Sequence, residues 1–222
     1  MRYRLIIPVF NAAATLPELI ARIQRTAPSI GILAVNDGST DHSASVLEEL
    51  GIETIRHPVN RGKGEALRTG FAAVLRDSVD AIVHLDADLQ HEPEFLPEFF
   101  HAFESGDGDL IIGTRDFHSG EMPLLRQMSN RMTSWAVRQL TGAAIADSQS
   151  GYRLIGRRVL ETIHPKSHRF DFESEYLVLA ARAGFKIGAV RVSTVYHGEP
   201  SAIRPWRDTM RFLRLSKFIW KL

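Results

Sequence analysis

The chain has no cysteine. Disulfides, thiolate nucleophiles, thiolate-bound zinc and iron–sulfur clusters are therefore excluded together, and a reducing compartment fits. Charge of either sign is not in excess: 27 Lys and Arg stand against 26 Asp and Glu, a net charge of +1. Bulk charge thus gives no case for a nucleic-acid partner. Long hydrophobic runs are also missing. The opening segment from Met1 to Pro8 holds an apolar stretch far shorter than a signal-peptide core, and nothing approaches the roughly 18–20 apolar residues that span a bilayer, so the expected location is cytoplasmic. What remains is an ordinary globular composition, 44% hydrophobic and 24% charged over 222 residues, which suits one domain with a full core.

Short apolar runs alternate with helical patterns in the first half. Strands are expected at 4–9, 32–35, 52–56, 81–85 and 110–112, with helices near 15–27, 41–50, 63–76 and 93–103. Thr15, Pro17 and Glu18 supply a helix start of the capping-box type. Strands separated by helices of this length imply β-α-β crossovers and a mostly parallel sheet. Ligands of such sheets bind beyond the carboxyl ends of the strands, and the polar clusters after the first four strands all fall there. The second half is less regular, with helices expected at 123–140, 172–183 and 208–222 and a strand at 186–195. Met128, Met132 and Trp135 read as packing residues or as the edge of an acceptor groove.

Asp86-Ala87-Asp88-Leu89-Gln90 is the sharpest local feature. Two carboxylates and an amide oxygen at a strand end are hard donors that suit Mg²⁺ or Mn²⁺ better than zinc; the plain alternative is capping of the helix that follows. An EF-hand is excluded, because His91 and Pro97 occupy the positions that need Gly and Glu. Residues 60–64, Asn-Arg-Gly-Lys-Gly, join two glycines to a cation at a strand-to-helix turn, a setting for phosphate or a polar substrate edge. The spacing matches neither a Walker A loop nor the dinucleotide fingerprint, since Gly64 follows Lys63 and Leu67 stands at the third glycine position. Asn36-Asp37-Gly38-Ser39 has turn chemistry, and Asp37 is also a candidate for accepting a nucleobase N–H. His84 sits on a buried-looking strand as a core residue. Neither H-E-x-x-H nor G-x-S-x-G occurs, which leaves zinc-protease and serine-hydrolase chemistry unsupported.

Taken in order, residues 8–11 (Pro-Val-Phe-Asn), 35–41, 60–64, 86–93 and 113–115 (Gly-Thr-Arg) resemble family 2 glycosyltransferases of the GT-A fold, in the branch of dolichyl- or polyprenyl-phosphate mannose and glucose synthases. Residues 147–153, 172–175 and 196–212 continue the likeness over nearly the whole chain. The resemblance implies an α/β, Rossmann-like, mostly parallel sheet flanked by helices in a single domain. Residues 1–115 would form the nucleotide-sugar and metal half, and 116–222 the acceptor half. It further implies a nucleotide-sugar donor, a divalent metal and inversion at the anomeric carbon. Pro8, Phe10, Asn11 and Asp37 would line the nucleoside pocket, with Gly62 and Lys63 closing beside it. Asp86 would lie near ribose and metal, Asp88 and Gln90 would bind the metal, and Arg115 would reach the donor phosphate or the acceptor. Glu175 would face the acceptor, with Glu173 two positions away and so on a different part of the helix surface.

Three departures from the family pattern stand out. Ala12 and Asn36 replace carboxylates common near the base pocket, which leaves uridine and guanosine both open. Residues 198–202 lack a lysine usual near the last strand, for which Arg204 or Arg207 would substitute.

Residues 208–222 mix Met210, Leu213, Phe218 and Trp220 with Arg211, Arg214, Lys217 and Lys221. A basic amphipathic helix of this kind suits a membrane interface near a lipid-linked acceptor, and equally a helix packed on its own domain or on a second copy in a homodimer. The leading expectation is transfer of a hexose from a UDP- or GDP-sugar to a polyprenyl phosphate or similar membrane-proximal acceptor. Sugar-to-sugar transfer, nucleotidyl transfer and non-catalytic nucleotide-sugar binding are the alternatives.

Overall fold

Successive side chains of a strand point to opposite faces, so the Leu5-Ile6-Ile7 run demands cover on both sides. The computed structural model describes residues 1–115, 138, 147–148, 150–167 and 171–193, with residues 115 and 171 described by backbone alone. Its elements run β1 (Tyr3–Val9), α1 (Leu16–Thr26), β2 (Gly31–Asn36), α2 (Ser43–Glu49), β3 (Glu53–Arg56), α3 (Lys63–Val74) and β4 (Ala81–His84). A 3₁₀ turn (Pro93–Phe95) leads into α4 (Leu96–Glu104) and β5 (Leu110–Arg115), and then come β6 (Arg153–Gly156), α5 (Arg157–Thr162), α6 (Asp171–Arg182) and β7 (Ile187–Val192).

Seven strands form one sheet in the order β3-β2-β1-β4-β6-β5-β7. β1 is parallel to both β2 and β4, and β2 to β3. The loops after these four strands therefore share one edge, and the crevice lies where the chain order reverses beside β1. The parallel half agrees with expectation; β6 and α5 were not anticipated. β6 runs antiparallel between β4 and β5, with Arg153 opposite His84 and Ile112. Its amino end thus enters the site edge, bringing Ser150 to Tyr152 with it.

Two apolar layers cover the sheet. Ile6, Val35, Ile82, Ile112 and Ile155 pack with α3, α5 and α6 through Leu67, Phe71, Leu160 and Tyr176. Leu5, Ile7, Val83, Ile111 and Leu154 pack with α1, α2 and α4 through Leu19, Ile23, Leu47 and Phe99. The buried positions of α1, Leu16, Leu19, Ile20 and Ile23, have the spacing of one helix face. The anticipated capping box does not form. Thr15 makes no cap hydrogen bond, and its hydroxyl instead faces the Ala87 carbonyl at 2.6 Å, which ties the start of α1 to the acidic loop. The expected helices at 123–140 and 208–222 lie outside the described residues. Among the described residues, no helix is long and apolar enough to cross a membrane.

His84 is buried in β4, as its strand position predicts. Burial foremost, and then the charges of Arg153 and Lys63, push its pKa well below 6.5. Below pH ~6.5 the unfolded chain binds a proton that folded His84 refuses, so stability falls as the pH drops. The expected slope from this residue is at most about 1.4 kcal/mol per pH unit. Urea unfolding of wild type and His84→Gln between pH 7 and pH 5 checks it: the variant should show the shallower acid dependence.

Candidate active site

The loops after β1 and β2 are stitched together by short polar side chains. Asn11 adopts φ 52°, a left-handed conformation that asparagine tolerates better than most residues. Its Oδ1 accepts the Thr40 N–H at 2.8 Å, and its own N–H donates to Ser39 Oγ at 3.0 Å. Asn36 is fully buried, and its Oδ1 accepts the Ser39 N–H at 2.9 Å. Pro8 pairs with Val35 inside the sheet. Phe10, next in line, is 48% exposed at the sheet edge, so an aromatic face remains for a ligand.

Asp37 is buried, and its hydrogen bonds go to the chain itself. Oδ1 accepts the Arg61 N–H at 2.9 Å and meets His57 Nδ1 at 2.7 Å, and Oδ2 accepts the Gly62 N–H at 2.8 Å. The carboxylate expected to read the base thus holds the glycine loop on the sheet edge. Gly62 sits at φ 96°, ψ 152°, a region that only glycine enters readily. Gly38 is equally constrained, since it has φ 69° and a Cβ there would lie 2.5 Å from the Asn60 backbone nitrogen.

α3 begins at Lys63 and points its ammonium into the cleft. Nζ lies 2.6 Å and 2.8 Å from the two oxygens of Asp86 and 2.9 Å from Glu173 Oε1. Burial alone would lower the Lys63 pKa, but the two carboxylates outweigh it and the net shift is upward. Arg153, also buried, donates from Nε, Nη1 and Nη2 to the carbonyls of Ser150, Glu173 and Ser148 at 2.9, 2.7 and 2.8 Å. It thereby fixes both the loop before β6 and the first turn of α6. Gly151 completes the cluster: a Cβ would overlap Asp86 Oδ2 and come within 2.9 Å of Lys63 Nζ. Gly151→Ala is expected to displace Asp86 and cut turnover about 100-fold, the scale of an ångström-level misplacement. Steady-state kinetics check this, with far-UV circular dichroism confirming the fold.

Asp88 is exposed, and its Oδ1 accepts the Gln90 N–H at 3.0 Å. Partial desolvation first, and then the Asp86 carboxylate, raise its pKa above the ordinary aspartate value. Leu89, between Asp88 and Gln90, holds φ 59°, an uncommon conformation for a γ-branched residue that marks the loop as locally strained. Among the described residues, no group of three His, Asp or Glu side chains is arranged to hold a metal alone. Two aspartates with the Gln90 amide are nevertheless hard oxygen donors of the kind that share Mg²⁺ with substrate phosphates. The residues present fit such an ion.

Of the two glutamates on α6, Glu173 reaches the cleft. Glu175, expected at the acceptor side, is buried and accepts the N–H groups of Lys166 and Ser167 at 3.0 and 2.8 Å. Arg68 holds the same segment from the opposite polarity, donating to the carbonyls of Pro165 and Ser167 at 2.9 Å each. Arg115 ends β5 opposite Val192, and its side chain lies outside the described residues, as do 198–202, Arg204 and Arg207. No local pattern singles out Glu173, Gly151 or Arg153 for a specific role. Their only signal was membership in the segments 147–153 and 172–175.

The profile of glycosyl transferase family 2 matches residues 5–163. Polyprenol monophosphomannose synthase of Mycolicibacterium smegmatis is 31% identical over 86% of this chain and 77% of its own length. Undecaprenyl-phosphate mannosyltransferase of Micrococcus luteus is 30% identical over 88% of this chain and 84% of its own. Glucosyl-3-phosphoglycerate synthase of Mycobacterium tuberculosis, solved with Mn²⁺ and UDP-glucose, superimposes with a TM-score of 0.78 over 97% of this chain and 78% of that one, at 22% identity. That likeness supports the fold, while the family profile spans more than half the chain: it is a glycosyltransferase of family 2 with the GT-A fold.

Proposed function

We propose that the enzyme transfers a hexose from a nucleoside-diphosphate sugar to a polyprenyl phosphate, with a divalent metal and inversion at the anomeric carbon. The observation that carries this reading is the meeting of Asp86 and Lys63 at the β1–β4 edge, with Asp88 exposed two residues on, in a chain whose relatives, over most of their length, are named as polyprenyl-phosphate transferases. Asp86, Asp88 and Gln90 would hold Mg²⁺ or Mn²⁺. When bound, such an ion neutralises charge on the departing diphosphate. Phe10 offers its exposed face to the base, and Asp37 keeps the Arg61-Gly62 backbone beside it.

The acceptor explains the posts of the glutamates. A phosphate monoester has its second pKa near ~6, so at neutral pH its oxygen attacks the anomeric carbon as an anion while the bond to the diphosphate breaks. No side chain need remove a proton, which agrees with a Glu175 engaged on the backbone of 166–167. Glu175→Gln should accordingly keep its pH–rate profile. The expected loss is in stability, about 1–3 kcal/mol from one mismatched buried N–H, read by urea unfolding.

A panel of UDP- and GDP-sugars, scored for nucleoside diphosphate release with polyprenyl phosphate, 3-phosphoglycerate or no acceptor, tests the assignment. Release stimulated by polyprenyl phosphate is expected. Failure to bind any nucleoside diphosphate with Mn²⁺ would sink the reading, and stimulation by phosphoglycerate alone would replace the acceptor. We further propose that residues 208–222 bring the enzyme to the cytoplasmic membrane face as a peripheral helix. Deletion of 209–222 from the folded protein should then abolish flotation with anionic liposomes.

A further inference from the structure

Both oxygens of Asp86 lie within 2.8 Å of a single ammonium, that of Lys63. A divalent ion ligated by one of those oxygens at ~2.1 Å would have that ammonium as an immediate neighbour of like charge. Asp86 would then share its carboxylate between two cations that repel each other at close range. Glu173 offers the ammonium a second place. Its Oε1 is 2.9 Å from Nζ and its side chain is only 5% exposed, and its main-chain carbonyl is pinned by Arg153 at 2.7 Å. The glutamate is fixed while the lysine stem is flexible, with three donors at its tip. Gly151 leaves open the space beside Nζ and Asp86 Oδ2 that any side chain would fill.

We infer that Lys63 is the resident counter-cation of the metal site: it holds Asp86 in the resting enzyme and shifts onto Glu173 as the divalent ion enters. Glu173 is thus a positioning residue. It keeps the ammonium paired once Asp86 is released, and keeps it beside the cleft. The inference rests on the proposed role of Asp86 toward the metal.

The test is direct Mn²⁺ binding without nucleotide, followed by the electron paramagnetic resonance signal of the free ion. Lys63→Met frees Asp86 and should tighten Mn²⁺ binding about tenfold. Glu173→Gln removes the alternative partner, leaves Lys63 on Asp86, and should weaken it about tenfold. Because the two act through one exchange, they should be non-additive: in the Lys63→Met background, Glu173→Gln should change the dissociation constant less than about twofold, the scatter within which independent substitutions add. Lys63→Gln, which keeps a donor without the charge, carries the same test if the methionine variant does not fold. An unchanged or weaker affinity in the Lys63 variants overturns the exchange. So does an equal effect of Glu173→Gln in both backgrounds, which simple long-range charge would produce. Wild-type protein that binds no Mn²⁺, with or without added UDP or GDP, overturns the metal reading and the exchange with it. Normal wild-type binding with additive variants overturns the exchange alone.

Discussion

Asp88→Ala is expected to lower kcat/KM about 1,000-fold, roughly 4 kcal/mol of transition-state stabilisation, while shifting the unfolding free energy by no more than about 0.5 kcal/mol. The two halves of this expectation have separate causes. Asp88 is exposed, and its recorded hydrogen bond is to the Gln90 N–H two residues on, so little of the fold depends on it. Its carboxylate is also the donor of the acidic loop that no cation of the chain already holds within ion-pair distance, among the described residues. Asp86 is a poorer test, because removing it also takes away one of the two carboxylates that pair the partly buried ammonium of Lys63 and mixes catalysis with stability. Measurement of kcat/KM at saturating Mn²⁺, beside urea unfolding, separates the outcomes. Activity within tenfold of wild type would remove Asp88 from the metal site. An equal loss with a large fall in stability would make it structural.

The front half of the fold was legible because its local signals agree. Strands β1, β2 and β4 are short apolar runs, and α1 and α4, which follow β1 and β4, are amphipathic, so periodicity and turn chemistry point the same way. β6 escaped because Arg153-Leu-Ile-Gly opens on a charged residue, and Arg153 is buried only because three backbone carbonyls from two other segments receive it. No local pattern announces such a partner set. The candidate site was legible by motif and less so by role. Asp37 is a base-contact candidate from its place at the sheet edge, and Glu175 faces the acceptor only by the family resemblance; in the structure each takes two backbone N–H groups. Glu173 was visible only as the neighbour of Glu175. Helix periodicity allows at most one of the pair to point to the cleft, but choosing between them needs the rotation of α6, which its packing on Phe71 and its tie to Arg153 set.

Asp37→Ala is expected to destabilise the enzyme by about 3–5 kcal/mol, the range found when one partner of a buried charged hydrogen-bond set is removed. The alanine leaves the Arg61 and Gly62 N–H groups and His57 Nδ1 facing a void, and each unmet buried donor costs about 1–3 kcal/mol unless water enters. Asp37→Asn is the sharper variant. The amide keeps the volume and one acceptor oxygen but turns an NH₂ toward groups that themselves donate, so it should recover less than half of the loss. The functional effect should appear in KM for the donor more than in kcat, because the released segment is the Arg61-Gly62 turn at φ 96° that opens α3 and carries Lys63, whereas Asp88 stands on a separate loop. Urea unfolding at constant m-value, with donor saturation curves at fixed Mn²⁺, reads both quantities. A stability change under about 1 kcal/mol would mean that water replaces the carboxylate without strain. A large fall in kcat at unchanged KM would instead place Asp37 at the reacting groups and return to it the direct contact with the donor that its hydrogen bonds argue against.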